Sequence, residues 1–186
     1  MRPRATASSA RRGGFSLAEL MAVVLVMGLI AGVVSVSYMA SLPRAELNSV
    51  LHDIAAAVSG ARSDSIARNS EYRIYYDIDA NAYQVRSPFA LGGAPAQTDE
   101  ERVVVKRVVL PDTISIEQIT IDGYEYTDGI VFVSFNPVGS ATGHTMQLVQ
   151  APHEGITTVE VLPLTGLVRF HDGVYEREPV TEDDFD

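Results

Sequence analysis

The chain has 186 residues, a formal charge of −10, no cysteine and no tryptophan. That length fits one globular domain plus an appended segment. The acidic balance argues against a nucleic-acid partner, and the missing thiols exclude thiol catalysis, cysteine metal sites and disulfides.

Residues 1–14 hold Arg2, Arg4, Arg11 and Arg12 and no acid. Such a flank beside an apolar run stays on the cytoplasmic side of a membrane. From 20 to 43 no side chain is charged, a run of 24 residues. About 20 apolar residues cross a bilayer core as a helix, so the run is long enough to span. It is too long for the core of a secretory signal peptide, and the small residues Gly13 and Gly14 precede it instead of following it. Glu19 stands at its entrance, where a carboxylate costs up to about 3 kcal/mol unless it is paired or reaches the interface. A plain single-pass anchor whose Glu19 snorkels to the headgroups is the simpler alternative, but it gives that acid no use.

Gly14-Phe15, with Glu19 four positions further on between a basic leader and a long apolar run, resembles a type IV prepilin (class III) signal. The resemblance implies cleavage after Gly14 by prepilin peptidase and N-methylation of Phe15. It also implies that Glu19 pairs with the terminal amine of a neighbouring subunit during assembly. Opposite charges held together among apolar helices attract far more than in water, and they fix the register between helices. Loss of the leader removes four arginines and no acid, taking the charge from −10 to −14.

Within the run, Gly28 and Gly32 form a Gly-x-x-x-Gly pair. It fits close helix packing and ordinary glycine tolerance in a membrane helix equally well. Pro43 removes a backbone donor and predicts a kink. Beyond it, Leu47, Val50, Leu51, Ile54, Val58 and Ala61 follow the spacing of an amphipathic helix, with Asn69 as its stop. The period then shortens towards two. Strands are predicted over 73–78, 82–86, 102–110, 113–121, 130–135, 146–150, 157–162 and 167–170, with a bulge between Ile116 and Ile119 and the 130–135 strand of the fully buried type. The segment 87–101 reads as an exposed loop, and 136–139 reads as a turn.

Two further stretches extend the resemblance. Phe135-Asn136-Pro137-Val138-Gly139 and Val159-Glu160-Val161 followed by Gly166-Leu167-Val168 resemble the F-x-x-x-G turn and the closing V-x-V…G-x-V hairpin of the GspH/FimT-type pseudopilin domain. The resemblance covers 15–172. It implies an α+β fold of the pilin type: a long N-terminal hydrophobic helix, transmembrane then amphipathic, packed on a mainly antiparallel β domain of about eight short strands. Some FimT-like relatives bind DNA through a basic C-terminal segment, whereas here that segment is acidic.

The remaining motifs favour structure over chemistry. Asp77-x-Asp79-x-Asn81 starts like a calcium loop, but Ala82 and Pro88 stand where that loop needs Gly and an acid. A hairpin turn with acceptor side chains is the expected reading. His52, His144, His153 and His171 lack metal-ligand spacing and read as surface or loop histidines. No nucleophile elbow or phosphate loop is present. Residues 123–126 read as a half-buried turn or, alternatively, a contact patch.

The expected organisation is a cleaved leader 1–14, a transmembrane and assembly helix 15–43, an amphipathic continuation 44–69, a periplasmic β domain 70–175 and an acidic disordered tail 176–186. The expected function is that of a non-enzymatic minor pseudopilin of a type II secretion system, held in the inner membrane by one span with the N-terminus cytoplasmic and then built into a short pseudopilus. Its partners would be prepilin peptidase, other pseudopilins or pilins through the helix, and the inner-membrane assembly platform. No cofactor or metal is expected. A FimT-like minor type IV pilin priming pilus assembly or DNA uptake is the alternative, and a membrane-anchored binding module with no assembly role is a third reading.

Overall fold

The computed structural model describes residues 16–152 and 155–177, and of residues 32–43 the backbone alone. The leader 1–14, Phe15, His153 and residues 178–186 of the tail lie outside the described residues. The chain divides into two compact units, Met1–Ala45 and Glu46–Asp186.

Helix α1 (Leu17–Arg68) begins in the first unit. The Ser16 carbonyl accepts hydrogen bonds from the amides of Glu19 at 3.0 Å and Leu20 at 3.1 Å, which closes the first turn beside the predicted start. Leu20, Met21, Val23, Val24, Leu25, Val26 and Met27 are all exposed, and consecutive positions cover every face of a helix. A helix that is apolar all round is built to be covered by lipid or by other helices. Among the described residues no helix is long and apolar enough to cross a membrane. The described side chains of the run stop at Ala31, halfway along it.

In the second unit α1 buries Val50, Leu51, Ile54, Ala57, Val58 and Ala61. This is the predicted stripe with Ala57 added and Leu47 at its margin. Asn69 ends the helix with a φ of 49°. The Ser70 amide donates to the Ser65 carbonyl at 3.1 Å, the long bond of a Schellman cap with asparagine in the left-handed position.

Nine strands follow among the described residues: β1 (Tyr72–Asp77), β2 (Ala82–Arg86), β3 (Val104–Val109), β4 (Ile114–Ile121), β5 (Tyr124–Tyr126), β6 (Ile130–Phe135), β7 (His144–Gln150), β8 (Gly155–Val161) and β9 (Val168–Asp172). They form a four-stranded sheet in the order β3-β2-β1-β6 and a five-stranded sheet in the order β5-β4-β7-β8-β9. Every strand pairing is antiparallel. One apolar cluster joins α1 to both sheets, with Val58, Ile114, Val133, Phe135 and Leu148 wholly inaccessible.

The turn after β1 is tied by the acceptors that resembled a calcium loop. The Asp77 carboxylate accepts from the Ala80 amide at 2.9 Å, and that of Asp79 accepts from the Gly129 amide at 3.1 Å. Asn81, at a φ of 47°, reaches across to β4. Its Oδ1 accepts from the Ile116 amide at 3.0 Å and its Nδ2 donates to the Ile114 carbonyl at 2.6 Å. One side chain thereby links the two sheets beside the bulge, which falls between Ile116 and Gln118 as expected.

Two readings need correction. Residues 124–126 are neither a turn nor half-buried, because Tyr124–Tyr126 is an exposed edge strand, β5, paired to β4, while Gly123 stays in the turn before it. The 130–135 strand is not buried on both faces. As β6 it closes the edge of its sheet and leaves Ile130 and Phe132 exposed. The strand buried nearly throughout is β7, which runs between β4 and β8.

Candidate assembly surfaces

The glycines that carried the resemblance meet at one arginine. Gly139 lies in the turn after β6 with a φ of 85°, and Gly166 in the turn between β8 and β9 with a φ of 59°. A Cβ on Gly139 would stand 3.1 Å from Arg62 Nη2, and one on Gly166 2.8 Å from Arg62 Cδ. Arg62 Nε donates to the Gly139 carbonyl at 2.8 Å. One turn on, the buried Ser65 hydroxyl sits 2.7 Å from the Arg62 carbonyl and 3.0 Å from the Asn136 carbonyl. These two polar side chains of α1 therefore bond the turn after β6 to the helix, and the turn between β8 and β9 packs against the same arginine. Glycine is required there twice over, for backbone conformation and for closeness.

The segment 87–101 is not a free loop. The Asp99 carboxylate receives Arg73 Nη1 at 2.6 Å and Arg102 Nε at 3.2 Å, and its carbonyl receives Arg86 Nη1 at 2.9 Å. Arg73 also lies 4.7 Å above the Phe132 ring, and Arg86 4.3 Å above that of Tyr75. The segment is thus pinned over an aromatic and arginine face of the first sheet. Arginine stacked on a ring keeps its edge free for a carboxylate, so both contacts coexist. Asp99→Ala is expected to leave the unfolding midpoint almost unchanged, because these ion pairs are partly exposed. It should raise the rate of thermolysin cleavage beside the exposed Leu91 by about tenfold through local opening. An unchanged cleavage rate would show that backbone hydrogen bonds alone hold the segment.

The histidines divide. His52 is exposed on α1 as expected, with Nδ1 2.6 Å from the Asn48 carbonyl. His171, half-buried on β9, bonds the buried Glu160 carboxylate at 3.0 Å and stacks on Tyr175 at 3.7 Å. His144 overturns the surface reading. It opens β7 in the interior, with Nδ1 2.9 Å from the Thr142 carbonyl and Nε2 3.1 Å from the Tyr76 hydroxyl. Burial drives its pKa down to about 4, and the Thr142 carbonyl opposes that only in part. The same burial pushes the Tyr76 phenol up.

Of the residues assigned from the signal, Glu19 is exposed in the first turn of α1. A negative charge there complements the helix dipole. A Cβ on Gly28 would meet nothing within 4 Å, so no described neighbour requires its smallness. Gly14, Phe15 and the surroundings of Gly32 lie outside the described residues. Arg62, Asp99 and His144 were missed in the sequence. For Arg62 alone a signal existed, in the two turn glycines that need something to close upon.

A long helix whose second half packs on an antiparallel β domain of two sheets defines the pilin-like fold, and the described residues adopt it. The minor pseudopilin EpsH from the type II secretion system of Vibrio cholerae matches at a TM-score of 0.51 and 14% identity, over 70% of this chain and 97% of that chain. The type IV minor pilin FimU of Pseudomonas aeruginosa matches at 0.48 and 15%, over 69% and 90%. No protein-family model and no curated protein sequence matches the chain.

Proposed function

We propose that the chain is a minor pseudopilin of a type II secretion system, of the GspH/FimT type, and that its work is mechanical and not enzymatic. In this reading prepilin peptidase removes residues 1–14, Phe15 becomes the methylated N-terminus, and residues 15–43 hold the protein in the inner membrane with residues 70–175 in the periplasm. Subunits then leave the membrane by stacking their helices on the assembly platform into a short pseudopilus that drives export. The observation that supports it most is the conjunction of the 14–19 signal with a fold like that of EpsH. Neither feature alone demands the other. The charge of −14 after cleavage favours secretion over DNA uptake.

Glu19→Ala tests this reading. The variant is expected to be cleaved and inserted normally, yet to lose incorporation into the filament by about tenfold or more, since a carboxylate buried with a terminal amine is replaced by nothing. Cross-linking of assembled subunits provides the measurement. Mass spectrometry of the mature chain should find a methylated Phe15 at its N-terminus. Full incorporation of the variant, or a mature chain beginning at Met1, would overturn the assignment.

A further inference from the structure

A cleft of about 390 Å³ opens between α1 and the end of β3, wholly within the second unit. One wall is apolar: Val50 from the helix, then Val108, Val109 and Leu110. The other holds Glu46 and Asp53 on α1, with the ring of Tyr83 from β2 also lining the cleft. The Tyr83 hydroxyl is buried and has no hydrogen-bond partner, in a residue only 2% exposed. A phenol so placed without a partner forgoes a hydrogen bond that water would have given it. Burial, and after it the nearby Asp53 charge, pushes its ionisation up to about 12. The phenol therefore stays neutral beside acids, and its oxygen is free to accept a hydrogen bond.

We propose that this cleft seats an arginine side chain presented by a neighbouring subunit. The apolar wall would cover the methylene stem. The guanidinium would donate to the Tyr83 oxygen and to Asp53, with Glu46 adding its field. Glu46 keeps an acceptor free, since Thr113 engages only its Oε2, at 2.7 Å. The two acids stand seven residues apart, about 10 Å along the helix, too far to share one metal ion. That spacing suits an extended cationic side chain. A neutral side chain would leave the negative charges of Asp53 and Glu46 unbalanced, and an acidic one would be repelled. Arginine fits better than lysine because its planar head offers several donors and sheds water more easily. That the donor is a filament neighbour rests on the pseudopilin reading. The chemistry of the seat does not.

The test uses the full chain in detergent micelles with ¹³C-labelled valine methyls, titrated with acetyl-Gly-Arg-Gly-amide and, in parallel, acetyl-Gly-Gln-Gly-amide. The arginine peptide is expected to shift the Val50, Val108 and Val109 methyls saturably, and the glutamine peptide is not. Asp53→Asn should weaken the interaction about fivefold or more, as should Tyr83→Phe, the latter without lowering the unfolding midpoint because its hydroxyl has no partner to lose. Equal shifts with both peptides, or arginine binding untouched by both substitutions, would overturn the proposal. The titration needs no filament. Arginine selectivity in a chain whose Glu19→Ala variant still assembles would uphold the seat and reject the pseudopilin reading. No selectivity in a chain that depends on Glu19 would do the reverse.

Discussion

Gly166→Ala is expected to destabilise the β domain by about 3 kcal/mol, far more than one methyl group usually costs. Two causes add. The backbone of Gly166 is left-handed at a φ of 59°, which costs an alanine about 1 kcal/mol. Its Cβ would also come within 2.8 Å of Arg62 Cδ, and the arginine cannot simply swing away. It is held by the bond from Nε to the Gly139 carbonyl, and a hydrogen bond from a charged donor is worth about 2 kcal/mol. The turn itself is fixed, since the Gly166 amide bonds the Leu162 carbonyl at 2.8 Å and the Leu162 amide bonds the Leu167 carbonyl at 2.9 Å. A double-mutant cycle with Arg62→Ala, read by denaturant unfolding, separates the two causes. In the Arg62→Ala background Gly166→Ala should cost only the backbone part, about 1 kcal/mol. Strict additivity would show that the turn and the arginine do not bear on each other.

The same geometry explains what could be read in the sequence. Apolar spacing along α1 reports which face is covered, so the stripe from Val50 to Ala61 was legible, as was the asparagine that stops the helix. Turn chemistry is equally local, and Asp77, Asp79 and Asn81 do what short acceptor side chains do beside a hairpin. What the sequence hides is which strand lies at an edge. Ile130-Val131-Phe132-Val133 is apolar without a break, yet among the described residues β6 pairs with no strand but β1, and Ile130 and Phe132 are open. His144 follows Thr142 and Gly143, which look like loop, but its strand is central in its sheet and the ring is drawn under the surface. Asp99 is harder still. Arg102 lies three residues further along, but Arg73 comes to the same carboxylate from β1 and Arg86 to the Asp99 carbonyl from β2, and only tertiary folding brings those two there.

Acid should loosen this protein, with His144 as the main histidine responsible. In the unfolded chain a histidine takes up a proton near pH 6.5, whereas in the fold burial lowers the value to about 4. Between those values the unfolded state binds more protons than the native one, so stability rises with pH across the window and is lost as pH falls through it. A shift of that size amounts to about 3 kcal/mol once pH is below both values. The geometry gives the cause. In the neutral ring Nδ1 donates to the Thr142 carbonyl while Nε2 accepts from the Tyr76 hydroxyl. A proton on Nε2 would force that hydroxyl to turn from donor to acceptor and would leave a net charge inside the sheet. Unfolding free energies at pH 7, 6, 5 and 4 should therefore fall more steeply for the wild-type chain than for His144→Gln, in which an amide can bond the same two groups without titrating. Carboxylates common to both chains cancel in that difference. Parallel curves would place the His144 ring in contact with water and remove it from the buried groups that join β7 to β1.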